Sequence, residues 1–221
     1  TPNNPTGTLV SRAELEGLAS LCAAHDLVLI ADEVWEAMIF AGEAHVSPLH
    51  LPGLRERAIK IGSAGKIFSL TGWKVGWAVA APVLAERIAA QHQFLTFTTA
   101  TPLQWAVAEG LALPGAWFAA HRAIYAPRRT QLIEGLERAG YAVLPSAGTW
   151  FVTVDLAASG LPADDEAVAT RLIREAGVAS IPVSAFCGAE PLRNYLRLCF
   201  CKQEAVLEAA LGRLAGFRAH F

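Results

Sequence analysis

Residues 62–77 have the sequence GSAGKIFSLTGWKVGW, and this stretch contains the most informative residue of the chain, Lys66. The apolar run at 58–62 leads into it and is typical of a strand. The small residues beside Lys66 allow a bulky group to approach the backbone. A desolvated lysine amine loses its proton more easily and is then a nucleophile toward carbonyl groups. Considered alone, however, Lys66 fits an exposed loop lysine better, because most lysines lie at the surface.

The length and charge of the chain exclude several functional classes. The 221 residues suffice for one large domain or two small ones, and the net charge of -2 provides no basic surface for nucleic acid or an anionic membrane. No apolar run reaches the length of a membrane span. The chain opens on the loop sequence TPNNPTG, without Met or a leader, which predicts the carboxyl-terminal part of a longer protein.

The cysteines and histidines show no metal-binding pattern. Cys22, Cys187, Cys199 and Cys201 lie in apolar segments without C-x-x-C spacing, which favours a reduced, cytoplasmic setting over disulfides or zinc. The six histidines have no paired ligand spacing, so structural roles are expected for them.

Apolar periodicity predicts an α/β chain. Ser11-x-x-Glu14 is a capping box that opens a helix, and the continuous apolar run at 27–31 predicts a strand buried on both faces of a parallel sheet. Pro127 should interrupt a helix at 116–139. Further strands are predicted at 58–62, 75–81, 141–144, 149–155, 179–182 and 195–201, and further helices from Pro82 and at 103–113, 165–176 and 204–214. Strands and helices alternate early in the chain, and a smaller mixed unit follows. This change of pattern predicts two parts, residues 1–118 and 119–221.

Several polar residues lie where predicted strands end, which is the usual ligand position in open α/β sheets. Asp32 ends the first strand, Ser63 and Lys66 follow the second, Asn4 lies in the opening loop, and Arg197 lies in a late strand. These groups could form a structural ion-pair network. They also match a pyridoxal phosphate site, where a carboxylate keeps the pyridine nitrogen protonated and an amine holds the aldehyde as an imine.

Four motifs in order resemble the fold-type I pyridoxal-phosphate aminotransferases of class I and II: N-P-T-G at 4–7, D-E-V at 32–34, S-A-G-K at 63–66, and the strand of Arg197. The wording of residues 63–77 is most similar to the kynurenine, glutamine and methionine aminotransferase branch.

This resemblance covers essentially the whole chain and implies its organisation. Residues 1–118 would be the second half of the cofactor-binding large domain, with a mixed, mostly parallel sheet and flanking helices. Residues 119–221 would be a small α/β carboxyl-terminal domain, and the full-length protein would be a cytoplasmic homodimer.

The resemblance also implies roles at the cofactor. Lys66 would form the internal aldimine and then move a proton between substrate and cofactor. Asp32 would pair with the pyridine nitrogen, and Asn4 would donate to the cofactor O3′ and help to place the substrate carboxylate. Ser63 and Lys74 would hold the phosphate.

Arg197 would bind the substrate α-carboxylate by a two-pronged bond. Two positions depart from the family pattern. Lys74 stands where many relatives have arginine and offers a point charge rather than a fork. Trp35 replaces the usual tyrosine, and its indole N–H can donate to O3′ but cannot accept.

The implied activity is a ping-pong aminotransferase, in which an amino acid gives its amino group to the cofactor and a 2-oxo acid takes it. Arg197 would serve the α-carboxylate and no second arginine is evident, so neutral donors are favoured: methionine, glutamine or aromatic amino acids. Two alternatives stay open, a pyridoxal-phosphate cysteine-conjugate β-lyase and the aminotransferase-like domain of a transcriptional regulator. Because the family's other cofactor contacts lie upstream of residue 4, the isolated 221 residues are expected to bind cofactor poorly and to be inactive.

Overall fold

The computed structural model describes residues 1–40, 42 and 44–220, which form two compact units. The first unit contains Thr1–Asn3 and Leu9–Ala119. The second unit contains the loop Asn4–Thr8 and the chain from Ala120 onward. Among the described residues, no helix combines the length and the apolar composition that a membrane span requires.

The first unit is built on a three-stranded mixed sheet in the order β1-β2-β3. β1 and β2 are parallel, and β2 and β3 are antiparallel. Its elements are α1 (Arg12–Ala24), β1 (Leu29–Asp32), β2 (Ala58–Ser63), α2 (Ala64–Ile67), β3 (Gly76–Ala80), α3 (Pro82–Leu95), α4 (Thr101–Leu111) and α5 (Gly115–Ala123), of which α5 continues past the boundary at Ala119.

The predicted capping box is confirmed at the start of α1. The backbone N–H of Glu14 donates to the Ser11 hydroxyl at 3.3 Å, and the N–H of Ser11 donates to the Glu14 carboxylate at 2.7 Å. These two bonds satisfy donors that the first turn leaves open. The apolar face of α1 then packs Leu15 and Cys22 against Leu51.

The predicted two-sided burial of the first strand is wrong. β1 lies at the edge of the sheet, and Ile30 is 65% exposed. Leu27 and Val28, which the sequence also placed in this strand, precede β1 and are about half exposed. β2 pairs with one edge of β1, and the face of β1 that carries Ile30 is left exposed among the described residues. The apolar run alone does not show whether both faces are covered.

The second unit has a four-stranded antiparallel sheet in the order β4-β5-β7-β6. One face, carrying Val152, Val154, Leu196 and Leu198, is fully or almost fully buried. Its elements are α6 (Ala126–Arg138), β4 (Ala142–Val143), β5 (Phe151–Asp155), α7 (Asp165–Arg171), β6 (Ile181–Pro182), β7 (Tyr195–Cys199) and α8 (Glu204–Arg218).

The helical patterns of this region follow the prolines and glycines of the sequence. The pattern at 116–139 is interrupted as predicted, with Pro127 in the first turn of α6, where its missing N–H costs least. α7 continues into a π-helical turn, Leu172–Ala176, and stops at Gly177 with a left-handed φ of 64°.

The opening loop Asn4–Thr8 is part of the second unit through specific hydrogen bonds. The hydroxyl of Thr153 donates to the carbonyl of Pro5 at 3.0 Å. The N–H groups of Ala147 and Gly148 donate to the carbonyl of Gly7 at 3.0 and 3.1 Å. The start of the chain therefore completes a fold whose other residues lie more than a hundred positions later.

Candidate active site

β1 and β2 are parallel, so their carboxyl ends lie at the same end of the first unit's sheet. In their register, Asp32 lies opposite Ile61. Asp32 ends β1 with an exposed side chain, and Ser63 ends β2, so α2 with Lys66 starts directly beyond this end. The parallel register thus brings an exposed carboxylate and an amine-bearing helix to one end of the sheet, as the sequence predicts.

Lys66 is half-buried, and its Nζ lies 5.2 Å from the centroid of the Trp35 ring. Trp35 is only 6% exposed. The turn that carries it begins at Asp32, whose Oδ1 accepts the N–H of Val34 at 3.2 Å. The Trp35 indole therefore lies next to the amine, three residues after the carboxylate of Asp32.

The small residues around Lys66 are required by packing. A Cβ at Gly62 would lie 2.3 Å from the Trp77 ring, and a Cβ at Gly65 would lie 3.0 Å from Thr71 Cα. The hydroxyl of Thr71 also donates to the Gly65 carbonyl at 3.2 Å. The expected open approach to the backbone is therefore filled by protein atoms at these two glycines, which fixes the turn that presents Lys66.

Ser63 and Lys74 lie at the two ends of one loop. Ser63 is opposite Gly76 in the β2–β3 register, and the N–H of Ala64 donates to the Val75 carbonyl at 3.1 Å. Lys74 is exposed and has a left-handed φ of 56°. A hydroxyl and an ammonium at the base of one loop are donors suited to an anion.

In the second unit, Arg197 and Asn4 are in direct contact. The Arg197 guanidinium donates to the Asn4 amide oxygen and lies over two aromatic rings, with its Cζ 4.5 Å from the Phe151 centroid and 5.2 Å from the Phe186 centroid. Burial lowers the pKa of Arg197, while the neighbouring Cys199 opposes that change. The rings hold the planar fork in a defined orientation, which is the geometry that carboxylate recognition uses.

This aromatic platform was not recognised from the sequence. The strand register would have indicated the contact of Arg197 with Phe151. Phe151 pairs with Cys199 and Thr153 pairs with Arg197, which places these side chains on one face of the sheet. Phe186 comes from a separate 3₁₀ turn, Val183–Phe186, and nothing in its local sequence indicates its position.

A buried polar network beside Asp32 was also missed. Glu33 is 0% exposed, and its Oε1 accepts a bond from the Ser47 hydroxyl at 3.0 Å. Its Oε2 lies 3.6 Å from Lys60 Nζ and 3.4 Å from His45 Nε2, and Lys60 also contacts the Glu36 carboxylate. Burial raises the pKa of Glu33 and lowers the pKa of His45.

The network supports the turn that follows β1. The N–H of Glu33 extends the sheet by donating to the Ile61 carbonyl at 3.0 Å, and the N–H of Glu36 donates to the Glu33 carbonyl at 3.0 Å. Glu33, Glu36 and His45 offer ligand-type atoms within 4.8 Å of one another. The Lys60 ammonium already supplies a cation to both carboxylates, so the cluster is an ion-pair network. Glu33 Oε2 and His45 Nε2 are buried in it without a hydrogen-bond partner among the described residues.

Comparison with known proteins identifies the family of the chain. Residues 1–214 match the family profile described as "Aminotransferase class I and II". The chain belongs to this family. Enzymes of the class are generally pyridoxal-phosphate-dependent.

Similar proteins carry several aminotransferase names. The chain is 39% identical to methionine aminotransferase of Escherichia coli K12, over 97% of the chain and 55% of that protein. It is 38% identical to human kynurenine–oxoglutarate transaminase 1, over 95% of the chain and 54% of that protein. The solved N-succinyldiaminopimelate aminotransferase of Mycobacterium tuberculosis superimposes with a TM-score of 0.93 at 39% identity, covering 98% of the chain and 56% of that structure. The chain thus spans about half the length of these relatives.

Proposed function

We propose that the protein containing this chain is a pyridoxal-phosphate-dependent aminotransferase that moves an amino group between an amino acid and a 2-oxo acid. The observation that carries the proposal is the position of Lys66, whose Nζ lies 5.2 Å from the ring of Trp35, three residues after Asp32 at the end of a parallel strand. We assign residues 1–118 to the cofactor-binding domain and 119–221 to the small domain. The compact units also divide near Ala119, but the loop Asn4–Thr8 belongs to the second unit.

The donor set of the first unit fits the proposed cofactor. Lys66 would hold it covalently through its aldehyde carbon, Asp32 would accept the N–H of the pyridine nitrogen, and Trp35 would donate toward the ring oxygen. Ser63 and Lys74 would bind the phosphate as a hydroxyl donor and a point charge. When bound, the cofactor withdraws electrons from the substrate Cα.

The protein's own contribution to the reaction is binding and proton transfer. Lys66 would take a proton from the substrate Cα and return it, while Lys74 would stay at the phosphate. Asp32 would lie beside the pyridine nitrogen and would hold a proton there.

Arg197 and Asn4 are proposed to bind the substrate. The Arg197 fork, held over Phe151 and Phe186, would bind the α-carboxylate by two parallel hydrogen bonds. Asn4 already accepts one N–H of this fork and would help to orient it. Neutral donors such as methionine, glutamine or aromatic amino acids are proposed as substrates, with methionine supported by the bacterial relative at 39% identity.

The test of cofactor attachment uses the natural protein that contains this chain. It is incubated with pyridoxal phosphate, reduced with borohydride and digested with trypsin. We expect the cofactor mass on the peptide that contains Lys66, and no label in Lys66→Arg. Lys60→Arg is the matched control, since Lys60 lies on β2, the strand directly before α2, and this variant should keep the label. Labelling elsewhere, with Lys66 unmodified, would refute the proposal.

Product analysis then separates transfer from elimination. Methionine with a 2-oxo acid should give the new amino acid in equal amount to the 2-oxo product. Pyruvate released from a cysteine conjugate without any oxo-acid acceptor would instead identify the β-lyase.

A further inference from the structure

Two cysteines at the carboxyl end of β7 have a geometry that the proposed function does not use. The Sγ atoms of Cys199 and Cys201 lie 2.9 Å apart, and both residues are free thiols. We propose that Cys199 and Cys201 are a reversible thiol–disulfide pair, a modification site that reacts with hydroperoxides. This inference concerns the second unit alone and stands whether or not the chain binds pyridoxal phosphate.

The backbone spacing is compatible with such a bond, and the chain turns at Cys201. Two residues apart on a straight strand, Cα atoms lie about 6.6 Å from each other, near the upper limit of about 6.8 Å for a disulfide. Here the N–H of Lys202 donates to the Phe200 carbonyl at 2.8 Å, which closes a three-residue turn centred on Cys201. Phe200 is buried, and its N–H donates to the Trp150 carbonyl at 2.9 Å, so the residue between the cysteines is anchored.

The two thiols differ in their readiness to react. The hydrogen bond from the Cys201 thiol lowers the pKa of Cys199 to about 6, and Lys202 and Arg197 act in the same direction. The same bond raises the pKa of the Cys201 thiol. Cys199 is therefore the thiolate that attacks, and Cys201 is the protonated thiol that follows.

An oxidant can reach Cys199 from a cavity of the second unit. Cys199 is exposed and lines a cavity of about 500 Å³ together with Arg213 and Lys202, and the positive charge of Lys202 favours a thiolate. The other two cysteines differ. Cys22 is buried in the core of the first unit, and the Cys187 thiol donates to the Val183 carbonyl at 3.7 Å.

The chemistry balances with a hydroperoxide as the oxidant. The Cys199 thiolate attacks one oxygen, an S–O bond forms, the O–O bond breaks, and the leaving oxygen departs as an alcohol or water after protonation. The Cys201 sulfur then attacks Cys199 sulfur, the S–S bond forms, the S–O bond breaks, and the thiol proton leaves with the hydroxide as water. Two thiols thus supply the two electrons that reduce one hydroperoxide, and an added thiol reverses the change.

The sequence makes the test specific, because trypsin cuts after Arg197 and Lys202 and releases both cysteines in the peptide LCFCK, residues 198–202. The natural protein is treated with hydrogen peroxide, denatured in the presence of iodoacetamide, which alkylates free thiols, and digested with trypsin. After peroxide we expect this peptide to be unalkylated and to have lost the mass of two hydrogens, as an internal disulfide requires. After reduction with dithiothreitol we expect both of its cysteines to be alkylated. The peptides of Cys22 and Cys187 serve as internal references and should stay alkylated.

Two variants separate the roles of the thiols. In Cys201→Ser, Cys199 should stop at the sulfenic acid and be captured by a 1,3-diketone reagent, whereas Cys187→Ser should respond to peroxide as the unchanged protein does. Circular dichroism shows whether each variant is folded. At pH 6 Cys199 in Cys187→Ser should react with iodoacetamide roughly tenfold faster than free cysteine, since its larger thiolate fraction outweighs its lower intrinsic nucleophilicity.

Three results would overturn the proposal. Peptide 198–202 could stay fully alkylated after peroxide, it could gain oxygens without ever losing two hydrogens, or its cysteines could be joined to other peptides. None of these results depends on aminotransferase activity, so a failure here leaves the proposed function to its own test.

Discussion

Replacing Arg197 by lysine tests the proposed carboxylate site most directly. Lysine keeps the positive charge but has no planar fork and no flat face to lie over Phe151 and Phe186. The loss of one charge-assisted hydrogen bond costs about 1.5–3 kcal/mol. The loss of the ring contacts costs about 0.5–1 kcal/mol.

The sum, about 2–4 kcal/mol, corresponds to a decrease in kcat/KM of roughly 30- to 900-fold for Arg197→Lys. Most of the change should appear in KM, because the carboxylate is bound alike in the ground state and in the transition state. The assay measures transfer from methionine to a 2-oxo acid in the natural protein. The corresponding amine without a carboxylate is measured in parallel, and its much slower reaction should not decrease further.

Arg193→Lys is the matched control for this experiment. Arg193 lies four residues earlier in the same region, is exposed, and pairs with the exposed Glu166 at 3.1 Å. Exposed ion pairs contribute little to stability, so this variant should keep its kcat/KM. If Arg197→Lys also stays within about threefold of the parent value, or slows the amine equally, the assignment of Arg197 is wrong.

Three further predictions concern the stability of the fold. Burial makes the folded state hold the Glu33 proton to higher pH than the unfolded chain does. The free energy of unfolding should therefore fall as pH rises from about 4.5 through the raised pKa of Glu33. Urea titrations should show a smaller fall for Glu33→Gln, and an equal slope in both proteins would contradict the prediction. Tyr141→Phe removes the bond from a buried hydroxyl to the Leu214 carbonyl at 3.0 Å and should destabilise by about 1 kcal/mol in thermal unfolding, whereas an unchanged Tm would deny the bond a role. Gly62→Ala places a Cβ 2.3 Å from the Trp77 ring and should cost about 1–3 kcal/mol with a changed tryptophan fluorescence, and a variant as stable as the parent would show that the ring moves freely.

Features that depend on a few neighbouring residues could be predicted from the sequence. The capping box at Ser11 and Glu14 needs only one helical turn. The break before α6 follows from Pro127, which cannot donate a backbone hydrogen bond. The placement of Asp32 and Lys66 at strand ends follows from apolar runs alone, and the parallel register then brings the two strand ends to one end of the sheet.

Features that depend on long-range pairing could not be predicted. The exposure of Ile30 depends on what packs on that face of β1, and an apolar run is the same whether or not the face is covered. The contact of Glu33 with Lys60 joins positions 27 apart through the β1–β2 pairing. The ring of Phe186 reaches Arg197 from a turn whose direction no local pattern encodes. The roles of the site residues stay proposals, since they rest on the resemblance and on contacts within each unit.

The loop Asn4–Thr8 makes the second unit discontinuous in sequence. A polypeptide that starts at Ala120 would lack the acceptors for Thr153 and for the amides of Ala147 and Gly148. No single cut of the gene can therefore yield a complete second unit. A synthetic peptide carrying the loop should bind that truncated polypeptide in trans. The opening residues would then act as a peptide ligand of a fold that residues 120–221 encode.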